Sequence, residues 1–370
     1  GAHLFSTDGK RYLDFAAGVA VNALGHNHPR LVKALTDQAG KLWHVSNLYR
    51  VPEQEELARK LVAASFADSA FFCNSGAEAV EAGIKIVRKY QAATGHPERY
   101  RIISFDSSFH GRTLSTIAAA NNAAHIAGFG PMPDGFDQVP FGNLNELRNA
   151  ITPETAGIIV EPIQGEGGIR PSNAAFLKGL REACDEFGLL LFFDEVQTGI
   201  GRVGKLFAYE SFGVEPDVMS LAKGLGGGFP VGACLATEKA AVGITPGTHG
   251  STFGGNPLAM AVANTVIDVL QEDEFLVGVR EMGERLFASM VKFSSDHPGA
   301  FEDVRGAGMM IGLKCIPPAG DFVTACREEG LLTVPAGDNV MRLLPPLIID
   351  ETHIAECVEM MGRAWERLSS

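Results

Sequence analysis

Five consecutive apolar residues, Leu189 to Phe193, run straight into the adjacent carboxylates Asp194 and Glu195. A run without alternation suits a strand covered on both faces, as in a parallel α/β sheet, and not a strand with one wet face. In such sheets ligands bind just outside the carboxyl ends of the strands. Asp194 is therefore expected beside a ligand, where something cationic meets it. Glu195 is expected to support Asp194 from behind.

The surrounding chain carries the same signature. From about residue 53 to 236, helical patterns (PEQEELARKLVAASF, AEAVEAGIKIVRKYQAA, NAAFLKGLREACDEFG) alternate with short apolar runs (SAFFC, RIISF, AGIIV, LLLFF, VMSLA, VGACLA). That alternation predicts a mostly parallel sheet flanked by helices. After Asn256-Pro257 the pattern changes to two long helices (258–271 and 275–293), strands at MMIGLK, LLTVP and VMRLL, and a last helix over 351–368. A length of 370 residues suits two domains at roughly 100–200 residues each. We divide the chain into an N-terminal segment, 1–50, packing with the small domain; a large α/β domain, 51–255; and a smaller α+β domain, 256–370. The N-terminus is expected to form a hairpin turning at Asp8-Gly9.

Charge and cysteine usage narrow the function classes. The net charge is 31 − 44 = −13, which disfavours a nucleic-acid or anionic-membrane binder. No apolar run approaches the roughly 18 residues of a membrane span, and no signal-peptide pattern opens the chain. The six cysteines form no CxxC pair, so reduced, buried thiols in a cytoplasmic protein are expected. His26 and His28 in GHNHP lack a third ligand. No metal site is expected there, only a loop before a helix that starts at Pro29.

Three segments carry candidate chemistry. GIGRVG (199–204) matches GxGxxG, with Asp217 following 18 residues after its first glycine, 217 − 199. A dinucleotide site would need the glycines directly after a strand and at the mouth of a helix; DEVQT intervenes and KLFAYE starts no clear helix. In CNSGAEAVEAGIK a strand gives way at once to a helix. Ser75 and Glu78 fit a capping box, and Ser75 with the amides of Gly76 and Ala77 also fits a phosphate site at a positive helix end. In SLAKGLGGGFPVGA, Lys223 closes an apolar strand before a glycine-rich turn that lets backbone approach a ligand. A lysine desolvated there beside another cation would have a lowered pKa and act as a nucleophile. A phosphate cradle, a strand-end aspartate and a strand-end lysine are together what pyridoxal 5′-phosphate needs.

At this point the chain resembles the fold-type I, class III aminotransferases, and among them the acetylornithine aminotransferases. The likeness runs through LDFAAGVAVNALGHNHP, NSGAEAVEAGIK, SFHGRTL, EPIQGEGG, FDEVQTGIGR, LAKGLGGGFPVGA, HGSTFGGNPLA and MRLLPP, covering essentially the whole chain. The family normally has further N-terminal residues, so the chain is expected to start late. The resemblance implies Lys223 as the lysine that forms a Schiff base with the cofactor and shuttles the proton. It implies Asp194 on the ring nitrogen, Gln197 near the phenolic oxygen, and Phe109 and Val196 on the two ring faces. Ser75, Gly76 and Ala77 would hold the phosphate, with Thr252 reaching it from a neighbouring subunit and Ser251 at the substrate. Active sites shared across a homodimer follow from that. Arg112 would receive the donor's α-carboxylate, a task suited to a planar guanidinium. Glu166 and Arg342 would form a switchable pair that admits either a long amino donor or 2-oxoglutarate.

The implied reaction is ping-pong transfer of the terminal amino group of N2-acetyl-L-ornithine to 2-oxoglutarate, a step of arginine biosynthesis. Ornithine aminotransferases tend to have tyrosine where this chain has Gly18, and the glycine leaves room for an acylated α-nitrogen. Succinylornithine and N-succinyl-diaminopimelate aminotransferases remain alternatives, with 4-aminobutyrate aminotransferase a further rival that Arg112 argues against. A nicotinamide-dependent dehydrogenase built on GIGRVG, and a catalytically silent member of the same fold, are the readings from other classes.

Overall fold

A computed structural model describes residues 1–369. Its centre is a seven-stranded sheet in the spatial order Ser69–Cys73, Gly232–Ala236, Val218–Leu221, Leu190–Asp194, Thr155–Val160, Arg101–Phe105, Phe136–Val139. Only Gly232–Ala236 runs against the other strands. Every residue of Thr155–Val160, Leu190–Asp194 and Val218–Leu221 is buried. Burial on both faces is what an uninterrupted apolar run requires, and it explains why these three lie at the middle of the sheet.

Because six strands point the same way, their carboxyl ends share one edge. Asp194 ends its strand there, paired in register with Ser220. Lys223 lies two residues past the end of Val218–Leu221, one step later than the sequence pattern suggests, and opens a short 3-10 turn with φ +46°. The helix Gly76–Ala93 follows Ser69–Cys73 and crosses the sheet, burying Val80, Ile84 and Val87. Each such side chain contributes roughly 1.5–3 kcal/mol when fully buried. The contact is close: a Cβ on Gly83 would stand 2.3 Å from Phe192 Cζ, so only glycine fits there. That contact fixes where the helix begins, and so where its first amides lie.

A second, antiparallel sheet holds Phe301–Ala307, Met310–Cys315, Val340–Leu343 and Val334–Ala336. Helices Phe275–Asp296 and Ala319–Glu328 pack on it, and the last helix, Glu351–Ser369, packs on both of them. The N-terminal hairpin, His3–Phe5 with Arg11–Asp14, does turn near Asp8-Gly9, and Leu331–Leu332 adds to it in parallel. The sequence pattern predicts LLTVP as one strand, and the structure corrects this. Leu331–Leu332 joins the hairpin, while Val334–Ala336 crosses to the other sheet and pairs with Val340–Leu343. A two-stranded hairpin is marginal alone, and the third strand completes it.

Among the described residues no helix is long and apolar enough to cross a membrane, and no group of three or more His, Cys, Asp or Glu could hold a metal. All six cysteines are free and buried.

Candidate active site

The strand ends open into a cavity of about 420 Å³. Lys223, Asp194, Gln197, Val196, Phe109 and Arg112 line it, together with Ser75, Gly76, Ala77 and Glu166. Residues spread over more than a hundred positions of sequence are thus brought together because each lies at or just beyond the carboxyl end of a parallel strand.

The aspartate is held rigidly. Asp194 Oδ1 accepts hydrogen bonds from Ser220 Oγ (3.0 Å) and the Val196 amide (3.1 Å), and Oδ2 lies 2.8 Å from His110 Nδ1. A carboxylate offers about four acceptor sites, so three protein bonds leave one open on Oδ2. His110 is fully buried; burial opposes its charge, but the Asp194 carboxylate, with Glu161 behind it, outweighs this and raises its pKa.

Glu195 does not support Asp194, contrary to expectation. Its carboxylate turns away and accepts the Ala208 and Tyr209 amides at 2.5 and 2.8 Å, holding the start of a short helix. Burial pushes its acid up to about 8 against those two amides. The supporting groups are His110 and Ser220. His110 sits inside SFHGRTL beside the residues singled out, but nothing in the sequence ties it to a carboxylate 84 positions away. Glu161 was also missed. Its buried carboxylate lines the cavity and accepts the amides of Phe109 (2.9 Å) and Gly165 (3.1 Å), and burial raises its acid to about 7.

In the same cavity, the Lys223 ammonium is pushed down to about 8. Desolvation is the main cause; Arg342 adds repulsion, while Glu166 and Asp194 act the other way. A lysine of this kind keeps a usable fraction of free amine near neutral pH.

Ser75 caps the Gly76–Ala93 helix, its Oγ accepting the Glu78 amide at 3.3 Å. The reciprocal bond of the box goes one residue earlier, from the Asn74 amide to Glu78 Oε2 at 2.8 Å. Gly76 and Ala77 supply the first helical amides, which have no carbonyl four residues back in the helix. A Cβ on Gly76 would stand 2.7 Å from Val196 Cγ1, so this helix start and the loop after Asp194 touch directly. Gln197 lines the same cavity with a buried Oε1 that has no partner among the described residues. Free amides at a positive helix end, a carboxylate with one open site, an unpartnered amide oxygen and a depressed lysine fit a phosphorylated pyridine aldehyde.

Two arginines bear on the cavity, Arg112 as a lining residue and Arg342 through its bond to the lining Glu166. Arg342 is buried on strand Val340–Leu343 and grips Glu166 at two points, 2.7 and 3.1 Å, while also donating to the Pro335 carbonyl at 3.0 Å. Arg112 is exposed, its guanidinium 5.4 Å from the centre of the Phe109 ring, with no acid among the described residues bonded to it. Ser251 and Thr252 do not line the cavity of their own chain. Ser251 is tied to Asn74 and the Gly254 amide, and Thr252 is exposed. Around them lies exposed apolar surface: Leu48 at 85%, Tyr49 at 65% and Phe253 at 60%.

The GIGRVG segment forms turns and opens no helix. Its Arg202 is buried and donates to the Met309 and Pro345 carbonyls, which ties this loop to the second sheet.

The family model described as aminotransferase class-III matches residues 1–365. The chain belongs to the class III aminotransferases. Across all 370 residues it is 58% identical to acetylornithine aminotransferase 1 of Bradyrhizobium diazoefficiens, covering 91% of that protein. It is 55% identical over 369 residues to the acetylornithine aminotransferase of Brucella melitensis biotype 1, covering 92% of it. Among solved structures, the N-acetylornithine aminotransferase of Stenotrophomonas maltophilia K279a is 39% identical with a TM-score of 0.87, covering all of this chain and 94% of that one. The ornithine aminotransferase of Toxoplasma gondii ME49 has a TM-score of 0.95 at 30% identity, covering all of this chain and 89% of that one. As a class III aminotransferase, the chain takes a small-molecule amino donor and a keto acid, and its shape is that of the pyridoxal-phosphate aminotransferases.

Proposed function

We propose that this aminotransferase uses pyridoxal 5′-phosphate to move the terminal amino group of N2-acetyl-L-ornithine to 2-oxoglutarate, giving N-acetyl-L-glutamate 5-semialdehyde and L-glutamate. One observation carries the reading: Lys223, with its pKa lowered to about 8, shares a cavity with a three-bonded Asp194 and the open amides of a helix start. The names of relatives matching the full chain at 55–58% identity support acetylornithine as the donor.

When bound, the cofactor supplies an aldehyde carbon that takes up the amino group and a cationic ring that draws electrons from the donor carbon. The residues do the rest. Ser75, Gly76 and Ala77 hold the phosphate at the positive end of their helix. Asp194 keeps a proton on the ring nitrogen through a charge-assisted bond, and His110 and Ser220 hold its carboxylate still. Phe109 and Val196 would pack against the cofactor's ring, and Gln197 would bind its polar substituents. Lys223 would be the catalytic residue: its Nζ would hold the cofactor's aldehyde carbon and, as a free amine, would take and return the proton of the donor's amine-bearing carbon.

Arg112 binds the donor's α-carboxylate. Glu166 neutralises Arg342 while the acylated donor is bound, then yields it to the distal carboxylate of 2-oxoglutarate. Gly18 leaves space for the acyl group. Thr252 and Ser251 reach the site of a second copy, and the exposed Leu48, Tyr49 and Phe253 beside them are the surface that a homodimer covers. Six free thiols suit a reducing compartment, so the cytoplasm is the proposed location.

The test is the rate of glutamate formation from 2-oxoglutarate with N2-acetylornithine, N2-succinylornithine, ornithine and 4-aminobutyrate as alternative donors. The acylated ornithines should lead in kcat/KM. Equal efficiency on free ornithine would overturn the donor assignment, and no glutamate from any donor would overturn the activity.

A further inference from the structure

Between the N-terminal hairpin and the helix Pro29–Ala39, four successive residues, Ala17, Gly18, Val19 and Ala20, take φ of +46°, +63°, +62° and +64°. The chain makes a left-handed turn, closed by bonds from the Ala20 amide to the Ala16 carbonyl (3.1 Å) and from the Val21 amide to the Ala17 carbonyl (2.8 Å). L-residues disfavour this region, and a β-branched residue such as Val19 disfavours it most. A strained turn persists only where its surroundings hold it, and such turns gather at functional sites.

The holding group is visible. Asp14, buried at the end of its strand, accepts the amides of Ala16 (3.0 Å) and Ala17 (2.8 Å) on Oδ1, and its Oδ2 lies 2.7 Å from His26 Nε2. On either side, the turn is anchored to the segment just after Arg342: the Leu344 amide donates to the Phe15 carbonyl and the Leu347 amide to the Ala23 carbonyl, each at 2.7 Å. What the turn delivers faces the reaction. Val21 lines the active cavity. Asn22 is wedged between two glycines: a Cβ on Gly18 would lie 3.2 Å from its Nδ2, and one on Gly228 would lie 3.0 Å from its Oδ1. Gly228 begins the stretch to Val231 that follows Lys223 and lines the same cavity.

We infer that Asp14 is a positioning residue for the amino donor: by clamping the left-handed turn it fixes Val21 as a cavity wall, with Asn22 packed between the turn and Gly228 of the Gly228–Val231 loop. Asp14 touches no reacting atom. Its effect passes through backbone amides, so it acts on how well the donor is seated and leaves the proton transfer at Lys223 alone. The inference rests on the aminotransferase reading above.

The experiment uses full-length protein reconstituted with pyridoxal phosphate. Asp14→Ala, Asp14→Asn and Val21→Ala are compared for KM and kcat with N2-acetylornithine, and for hydrogen exchange of the amides at 16–22. Asp14→Ala should raise KM at least tenfold with kcat within threefold of wild type, and should speed exchange at Ala16 and Ala17. Asp14→Asn keeps an acceptor oxygen for both amides and should restore KM to within threefold. Val21→Ala trims the wall without touching the clamp and should also raise KM; it decides the matter should Asp14→Ala not fold. The inference is overturned by KM values unchanged in both alanine variants, or by Asp14→Asn behaving like Asp14→Ala. A wild type without turnover would strike the aminotransferase reading instead.

Discussion

At one end of the cavity Asp194 is 4% exposed and bound by three protein groups, whereas at the other Arg112 is exposed and bonded to no acid among the described residues. The inner groups sit on the ends of fully buried strands and on the first turn of a helix locked to the sheet by the Gly83–Phe192 contact. The outer groups sit on loops or, like Arg342, in a two-point ion pair whose Glu166 side chain is 35% exposed. Charges that act on one unchanging cofactor can be preorganised, and preorganised charges act at no reorganisation cost during the reaction. Charges that must serve two different substrates in turn cannot be fixed in this way. On the proposed roles, the contrast matches an inner end that serves one unchanging cofactor and an outer end that serves two substrates in turn.

The comparison makes graded predictions. Removing inner groups should damage the chemical step, and removing outer ones should damage substrate selection. Lys223→Ala should abolish multiple turnover, read as glutamate formed per enzyme; more than one equivalent would contradict the lysine's role. Asp194→Asn should leave cofactor bound while kcat falls by roughly 10²–10³, the usual loss for one preorganised electrostatic group. A kcat near wild type would remove the distinction between the two ends. Arg112→Ala loses charged hydrogen bonds of about 1.5–3 kcal/mol each, which predicts a KM for N2-acetylornithine raised roughly 10–100-fold with kcat little changed. A fall in kcat at constant KM would place Arg112 with the inner groups.

The smallest effect concerns stability. Burial raises the folded pKa of Glu195 from 4.5 to about 8, so its share of stability is full below 4.5 and is lost as pH rises through about 8. Glu161, raised from 4.5 to about 7, acts in the same sense. The Tm of the wild type should therefore fall across this window, and Glu195→Gln should flatten the upper part of the fall. An unchanged slope in the variant would mean that Glu195 does not titrate there.

What the sequence disclosed follows the same division. Asp194 was legible because an apolar run ends at it, and the Ser75 cap because its partner is three residues on. Local patterns suffice for both. Glu195 gives no local sign of its role because its partners, the Ala208 and Tyr209 amides, come within reach only after the loop between them has folded back. His110 and Glu161 lie inside recognised motifs, yet their partnership with Asp194, Phe109 and Gly165 depends on strand order, which no local pattern encodes. LLTVP reads as one strand because it is short and mostly apolar, and only the competing claims of two sheets divide it. The left-handed turn at Ala17–Ala20 left no mark beyond one glycine, since alanine and valine give no sign of positive φ.

The most direct test of the central claim is a single-turnover spectrum of the purified protein carrying pyridoxal phosphate, mixed with N2-acetylornithine in the absence of any keto acid. The yellow band of the bound cofactor should bleach with one equivalent of semialdehyde formed per site, and added 2-oxoglutarate should restore the colour. A protein that takes up no pyridoxal phosphate, or whose yellow band persists unchanged with the donor present, would contradict the account.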